Sequence, residues 1–188
     1  MTPEISPSPV FLAQCLSYDE LTGYLTWKER PRSHFPSDRV FSKFNNEFAG
    51  RTAGVADHGY IRLGLTVEGK CHSLYAHRAA WCLKTGLWPS MFIDHVNGEG
   101  TDNKWGNLRE ATLQQNLRNV PVRSHSKTGI KGVRVRKDGI FEARISLNKK
   151  TVYLGAFPDS FSASMAFAKR AQLEHGAFIH QSLQKGGF

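Results

Sequence analysis

Residues 93–116 read IDHVNGEGTDNKWGNLREATLQQN, one Asp-His pair followed by a run of Asn and Gly in a stretch with few apolar residues. The segment FIDHVNG at its head has the character of a strand ending in a turn. Adjacent residues on a regular strand point to opposite faces, so Asp94 and His95 can both aim inward only if the following turn is distorted, and Gly98 and Gly100 permit that. NLREAT is ambiguous by periodicity. Thr112 and Gln115, however, form the pattern T-x-x-Q of a capping box, which starts a helix at Thr112 and places Asn116 in its first turn.

Working outward, the 188 residues suffice for one domain or two small ones, and two units is the reading the charge supports. Counting Lys and Arg against Asp and Glu, residues 1–120 hold 13 against 12, whereas residues 121–188 hold 12 against 4. Nearly all of the net charge of +9 therefore sits in the last third, which suits a polyanion. No apolar run approaches the roughly 18 residues of a membrane span, and PSPVFLAQCL lacks the basic start of a secretory signal. A soluble, intracellular, cytoplasmic protein with nucleic acid rather than a membrane as partner is expected. Cys15, Cys71 and Cys82 form no C-x-x-C pair, so no structural zinc and no disulfide framework is expected.

Along the chain, VFLAQCLSY reads as a short helix and LTGYLTWK as a turn entering a strand with Leu25 and Trp27 on one face. Residues 30–48 show no clear period and read as a long loop of unknown purpose. GYIRLGLTVEGKCHSLYAHRAAW supplies two strands around Glu68-Gly69, and LYAHRAAWCLKTG a helix with Leu74, Ala79, Trp81 and Leu83 on its apolar side, stopped by Gly86. The four tryptophans read as packing residues. VPVRSHSKTG is basic and aperiodic, a linker. Beyond it GVRVR, FEARISL and TVYLGAF alternate as three strands, with Val133 and Val135 opposing Arg134 and Arg136, and Phe141, Ala143, Ile145 and Leu147 opposing Glu142 and Arg144. SFSASMAFAKRAQLEHG carries a helical stripe at Phe161, Met165, Ala168 and Ala171. Three strands backed by one helix would leave an arginine face in solvent.

A basic chain with a poised histidine suggests phosphodiester chemistry. An imidazole titrates near pH ~6.5 and serves as a general base without elaborate tuning. A hard cation takes carboxylate or amide oxygens, for which Asp94 and Asn116 are candidates. Asn103 reads as a turn former.

D-H-x-N-G, then D-N-x-x-x-N-L-R, then an Asn nine residues after the middle Asn, resembles the HNH endonuclease family in its intron-associated, phage-type branch. The similarity begins near YDELTGYLTWK, continues through HRAAWCLKTGLWP and ends near Asn119. The resemblance implies a ββα-metal fold holding one divalent ion, Mg²⁺ with Mn²⁺ as substitute. By position His95 matches the general base, Asp94 and Asn116 the metal ligands, Asn107 the residue bracing the His-bearing loop, and His77 a supporting or DNA-contacting histidine. Many relatives carry zinc-binding cysteine pairs, which this chain lacks.

GIKGVRVRKDGIFEARISLNKKTVYLGAFPDSFSASMAFAKRA is similar to the AP2 DNA-binding domain, whose three-stranded sheet enters the major groove. That resemblance assigns Arg134, Arg136, Arg144 and Tyr153 to DNA, and Lys149 and Lys150 to phosphate at the hairpin. The expected protein is α+β: an HNH nuclease domain with an N-terminal extension over 1–120, a linker over 121–129 and an AP2-like antiparallel sheet packed on one helix over 130–188. It would cut double-stranded DNA, as a monomer, in a bacterial or phage-infected cell, in the manner of a homing or site-directed nuclease. The rivals are a non-catalytic DNA-binding regulator on the same scaffold and a structure-selective nuclease of repair or restriction.

Overall fold

Ser8 and Pro9 open the first helix, α1 (Pro9–Cys15): the serine hydroxyl accepts from the Phe11 amide at 3.2 Å, and proline at the first helical position forfeits no hydrogen bond. This is seen in a computed structural model that describes residues 7–118, 126–148 and 150–176. Those residues fall into two compact units, one ending at Ala111 and one beginning at Thr112, with Val96–Gly98 counted in the second.

In the first unit α1 buries Leu12 and Cys15 and leads into a hairpin of β1 (Leu16–Tyr18) and β2 (Leu25–Trp27). The Asp19 carboxylate accepts from the Leu21 and Thr22 amides to shape the turn, and Gly23 completes it at φ +79°. Residues 30–48, expected as a loop, are instead a 3-10 turn, Arg32–His34, followed by the helix α2 (Asp38–Phe48) capped by Ser37. Phe41, Phe44 and Phe48 carry the helical spacing, which the Pro, Ser and Asn residues of 30–48 masked in the sequence.

A meander of β3 (Val55–Asp57), β4 (Tyr60–Val67) and β5 (Lys70–Tyr75) follows. Its second turn is Glu68-Gly69, as expected, with both residues at positive φ, the arrangement that matches strand twist. The helix α3 (Ala76–Thr85) starts two residues later than Leu74, which belongs to β5, and ends on Gly86 at φ +77°. Its buried residues are small apart from His77, and the core joins it to α1, the first hairpin and the meander. Lastly β6 (Phe92–His95) pairs antiparallel with β7 (Leu108–Ala111), which resolves the ambiguity of NLREAT in favour of a strand.

In the second unit α4 (Leu113–Arg118) begins on the expected capping box: the Gln115 side chain accepts from the Thr112 amide at 2.8 Å and the Thr112 hydroxyl accepts from the Gln115 amide at 3.2 Å. The three expected strands are β8 (Val133–Val135), β9 (Phe141–Leu147) and β10 (Lys150–Phe157), in order β10-β9-β8, backed by α5 (Ser160–His175). The helix's buried stripe is Ala163, Phe167 and Ala171, not the one starting at Phe161, which is exposed. Ala171 is common to both stripes; packing of Ala163 and Phe167 with Val133, Ala143 and Ile145 sets the inward face. Most of the expected linker, with Lys149, lies outside the described residues; Thr128 donates to the Val133 carbonyl at 2.8 Å.

Two glycines test this packing. A Cβ at Gly23 would lie 2.5 Å from the Lys104 amide nitrogen, and one at Gly132 would collide with the Phe167 ring, each at positive φ. Left-handed backbone alone costs a non-glycine residue about 1–2 kcal/mol. Gly23→Ala and Gly132→Ala are each expected to lose at least that much, read as a drop of about 5 °C or more in the melting of the unit concerned.

Candidate active site

Asp94 and His95 are 3% and 5% exposed, and each is enclosed by its own neighbours. Strand register sets Asp94 opposite Arg109, whose Nε donates to Asp94 Oδ2 at 2.8 Å and whose Nη2 forms an ion pair with the same oxygen at 2.7 Å. Both residues are thus buried on a regular two-stranded ribbon, because each of its faces is covered. The distorted turn expected from Gly98 and Gly100 is not required for their burial. Gly100 has another use: a Cβ there would meet the Gly59 carbonyl and the Tyr60 ring, so the loop passes close to the β3–β4 turn.

His95 Nε2 lies 3.0 Å from Asn103 Oδ1. An amide oxygen only accepts, so Nε2 carries the proton and Nδ1 is the basic nitrogen of the ring. Burial pushes the His95 pKa below its usual value, while the Asn103 hydrogen bond and the Asp94 and Asp102 carboxylates oppose the shift. The ring is therefore a neutral base.

Asn103, expected as a turn former, is a 3% exposed partner of that ring. Its own carbonyl accepts from the Tyr18 hydroxyl at 2.8 Å, and the adjacent Trp105 amide donates to the Glu20 carbonyl at 3.0 Å. The first hairpin thereby grips the loop that holds the histidine. Asn107, also buried, donates from Nδ2 to the Asp102 carbonyl at 2.6 Å.

His77 stands at 5.0 Å from His95, centroid to centroid and edge to face, with Tyr60 beside both rings. Burial, then the proximity of His95 and Arg78, holds its pKa down to about 3, so it is neutral. Its Nδ1 is buried and has no hydrogen-bond partner among the described residues. Asn116 is half-buried in the first turn of α4 and belongs to the second unit.

With this geometry in view, comparison with known proteins bears on one segment. Residues 74–118 match the HNH endonuclease family. The matched segment runs from the end of β5 through α4 and contains Asp94, His95, Asn107 and Asn116. No curated protein is significantly similar to the chain. Among solved structures, that of DNA binding and cleavage by the HNH homing endonuclease I-HmuI shares 20% identity over 86% of this chain and 77% of that one, with a TM-score of 0.37. At that score the likeness supports nothing further. Within the matched segment, Arg109 and Asn103 were given no role in the site by spacing, because Arg109 becomes legible only through strand register and Asn103 only through the loop's path.

The second unit collects the basic residues. Arg134, Glu142, Arg144 and Tyr153 share a face of the sheet, since Arg134 pairs with Glu142 and Tyr153 with Arg144 across the ladder. Glu142 is buried and accepts from Arg134 Nε at 2.6 Å and Arg144 Nη2 at 3.1 Å, with Arg136 Nη1 at 3.9 Å from its other oxygen. The hydrogen bond from Arg134, followed by the charges of Arg134 and Arg144, draws its pKa down. The Arg144 guanidinium lies 5.7 Å from the Tyr153 ring centroid. Lys150 is exposed and pairs with Leu147, which places it on the opposite face from Arg144 and Tyr153. Lys149 is outside the described residues.

Asn103→Ala leaves His95 Nε2 without its acceptor, and an unsatisfied buried group costs about 1–3 kcal/mol. The variant is expected to lose that much in urea unfolding and to show a mixture of ring tautomers at His95 in long-range ¹H–¹⁵N spectra. The wild-type ring is expected to show the Nε2–H form alone.

Proposed function

We propose that this protein is a DNA endonuclease that hydrolyses phosphodiester bonds in double-stranded DNA, with His95 as general base. The observation that carries the reading is the buried, tautomer-fixed His95 beside Asp94 inside the segment that matches the HNH family. A water loses its proton to His95 Nδ1 as its oxygen attacks phosphorus, the bond from phosphorus to the 3′ oxygen breaks, and a 5′-phosphate remains. Asn103 and Asn107 hold the ring and its loop while this happens. His77 Nδ1, buried without a partner, is placed to hydrogen-bond a group entering the site.

A divalent ion fits the donor set by its chemistry. The Asp94 carboxylate is an oxygen donor of the kind Mg²⁺ or Mn²⁺ prefers, and Arg109 orients it; Asn116 is the second candidate ligand by its place in the sequence alone. When bound there, such an ion would neutralise charge on the phosphate and the departing oxygen. The second unit, with its AP2-like order of three strands and a helix, is the proposed DNA-binding module, delivering a monomer to a site in the manner of a homing or phage-encoded nuclease. Glu142 keeps Arg134 and Arg144 in fixed directions, so less side-chain freedom is lost on meeting DNA.

Supercoiled plasmid bearing candidate target DNA tests the catalytic reading. Wild type is expected to nick it with Mg²⁺ or Mn²⁺ and not with EDTA, and His95→Ala to lose at least about 100-fold in rate, the contribution typical of a positioned acid–base group. Binding without cleavage under any ion would establish the regulator instead. For the sheet, Arg134→Ala is expected to weaken DNA binding and to reduce the slope of log affinity against log salt by about one, as the loss of one phosphate contact requires. An unchanged slope would remove Arg134 from the interface.

A further inference from the structure

The N-terminal extension contains a buried cation without a buried counter-ion. Arg30 is 3% exposed, and its backbone is fixed by the Asn45 side chain of α2, which accepts from the Arg30 amide and donates to its carbonyl, both at 3.0 Å. Its guanidinium lies 4.8 Å from the Phe35 ring centroid, 5.1 Å from that of Phe44 and 5.6 Å from that of Phe11. Arg30 Nη2 donates to the Thr66 carbonyl at 3.2 Å and Nε to His34 Nδ1 at 3.3 Å.

Every one of these partners is neutral. His34 Nε2 donates to Gln14 Oε1 at 3.0 Å, which leaves Nδ1 to accept, and burial together with Arg30 holds the ring below its usual pKa. Cys15, 3.7 Å from the same nitrogen, is pushed up to about 11 by burial and is a thiol. Among the described residues no carboxylate forms an ion pair with Arg30. Glu68, exposed on the β4–β5 turn, lines the rim of the adjoining cavity and forms no ion pair with Arg30. A guanidinium does not shed its proton in a protein, and buried charges are ordinarily matched by opposite ones. Ring faces and a carbonyl offset part of that cost and leave the charge uncancelled.

The same residues line a cavity of about 640 Å³, bounded by Phe11, Arg30, His34, Phe35, Phe44 and Val67. That volume is in the range of pockets for organic ligands and far exceeds a bare inorganic anion. Arginine's planar fork suits a carboxylate or phosphate oxygen, and the aromatic walls suit a flat apolar group. We propose that this cavity binds an organic oxyanion, a carboxylate or phosphate carried on a flat apolar body, with the charged end against Arg30 and the body among the phenylalanines. None of its lining residues lies in the segment 74–118, so the site is separate from the Asp94–His95 cluster and does not rest on the nuclease reading.

The test is an amide chemical-shift titration of the full chain with two matched pairs: benzoate against benzamide, and deoxyadenosine 5′-monophosphate against deoxyadenosine. Saturable shifts at Phe35, Phe44 and Val67 are expected from at least one of the anions and from neither neutral analogue. In Arg30→Met the affinity is expected to fall about tenfold or more, as the loss of a charge-assisted hydrogen bond implies. Should that variant fail to fold, Val40→Trp, which fills the cavity from the exposed side of α2 and keeps Arg30, decides the matter by abolishing the shifts. The proposal is overturned if neither anion shifts these amides below about 10 mM, if the neutral analogues shift them equally, or if the folded variants bind as wild type does.

Discussion

The hydrogen bond from His95 Nε2 to Asn103 Oδ1 is the constraint around which the first unit is arranged. It selects the tautomer, and with it the nitrogen that can take a proton. For Asn103 to reach back eight residues, the loop from Glu99 to Asn107 must fold over the end of β6 and stay there. Its own Asn107 side chain closes it on the Asp102 carbonyl, and the first hairpin pins it through Tyr18 and Glu20. Burial raises the Tyr18 pKa to about 12, so its hydroxyl remains a donor throughout the physiological range. Residues some 80 positions upstream of the site are therefore part of its support, and Gly23 is a glycine because the loop backbone lies against it.

This network is buried, which makes its completeness matter more than its number of bonds. In a low-dielectric setting each satisfied polar group stiffens the next, and each unsatisfied one carries its full desolvation cost. The arrangement around Asp94 follows the same logic. A carboxylate 3% exposed is tolerable because Arg109 meets it with two nitrogens across the strand pair. Such a pair contributes orientation more surely than stability, since two desolvated charges regain little net free energy from each other.

What the sequence made legible was local. The capping box at Thr112, the turn at Glu68-Gly69 and the alternation of the last three strands are written in residues a few positions apart, and the structure has each of them. The spacing also singled out Asp94, His95 and Asn107, all of them buried in the first unit. Partners across strands or loops were not legible. Arg109 meets Asp94 only once β6 and β7 have a register, and Asn103 has the composition of a turn former whether or not its side chain is engaged. The helix α2 has a distinct apolar stripe and was missed because the Pro, Ser and Asn residues of 30–48 read as loop. In α5 the small residues around Phe167 made several stripes equally plausible, and packing against β9 chose among them.

Charge placement ties these elements to one physical rule. Asp94 is matched by Arg109, and Glu142 gathers Arg134 and Arg144, so both buried carboxylates among the described residues have guanidinium partners from the neighbouring strand or their own. Since Arg134 and Arg144 share Glu142 while Arg136 pairs with Asp138, that face keeps a net positive charge and its side chains hold fixed directions, which favours recognition over indiscriminate attraction. Arg30 departs from the rule: it is as buried as Asp94, is ringed by three phenylalanines, a neutral imidazole and a carbonyl, and forms no ion pair with an acid among the described residues. Stability alone would favour replacing such a residue with an apolar side chain of similar volume, because desolvating an unpaired charge costs several kcal/mol (about that order) while ring faces return ~2 kcal/mol or less each. A cavity large enough for an organic anion, opening on that one cation, supplies the physical reason for the charge to be there.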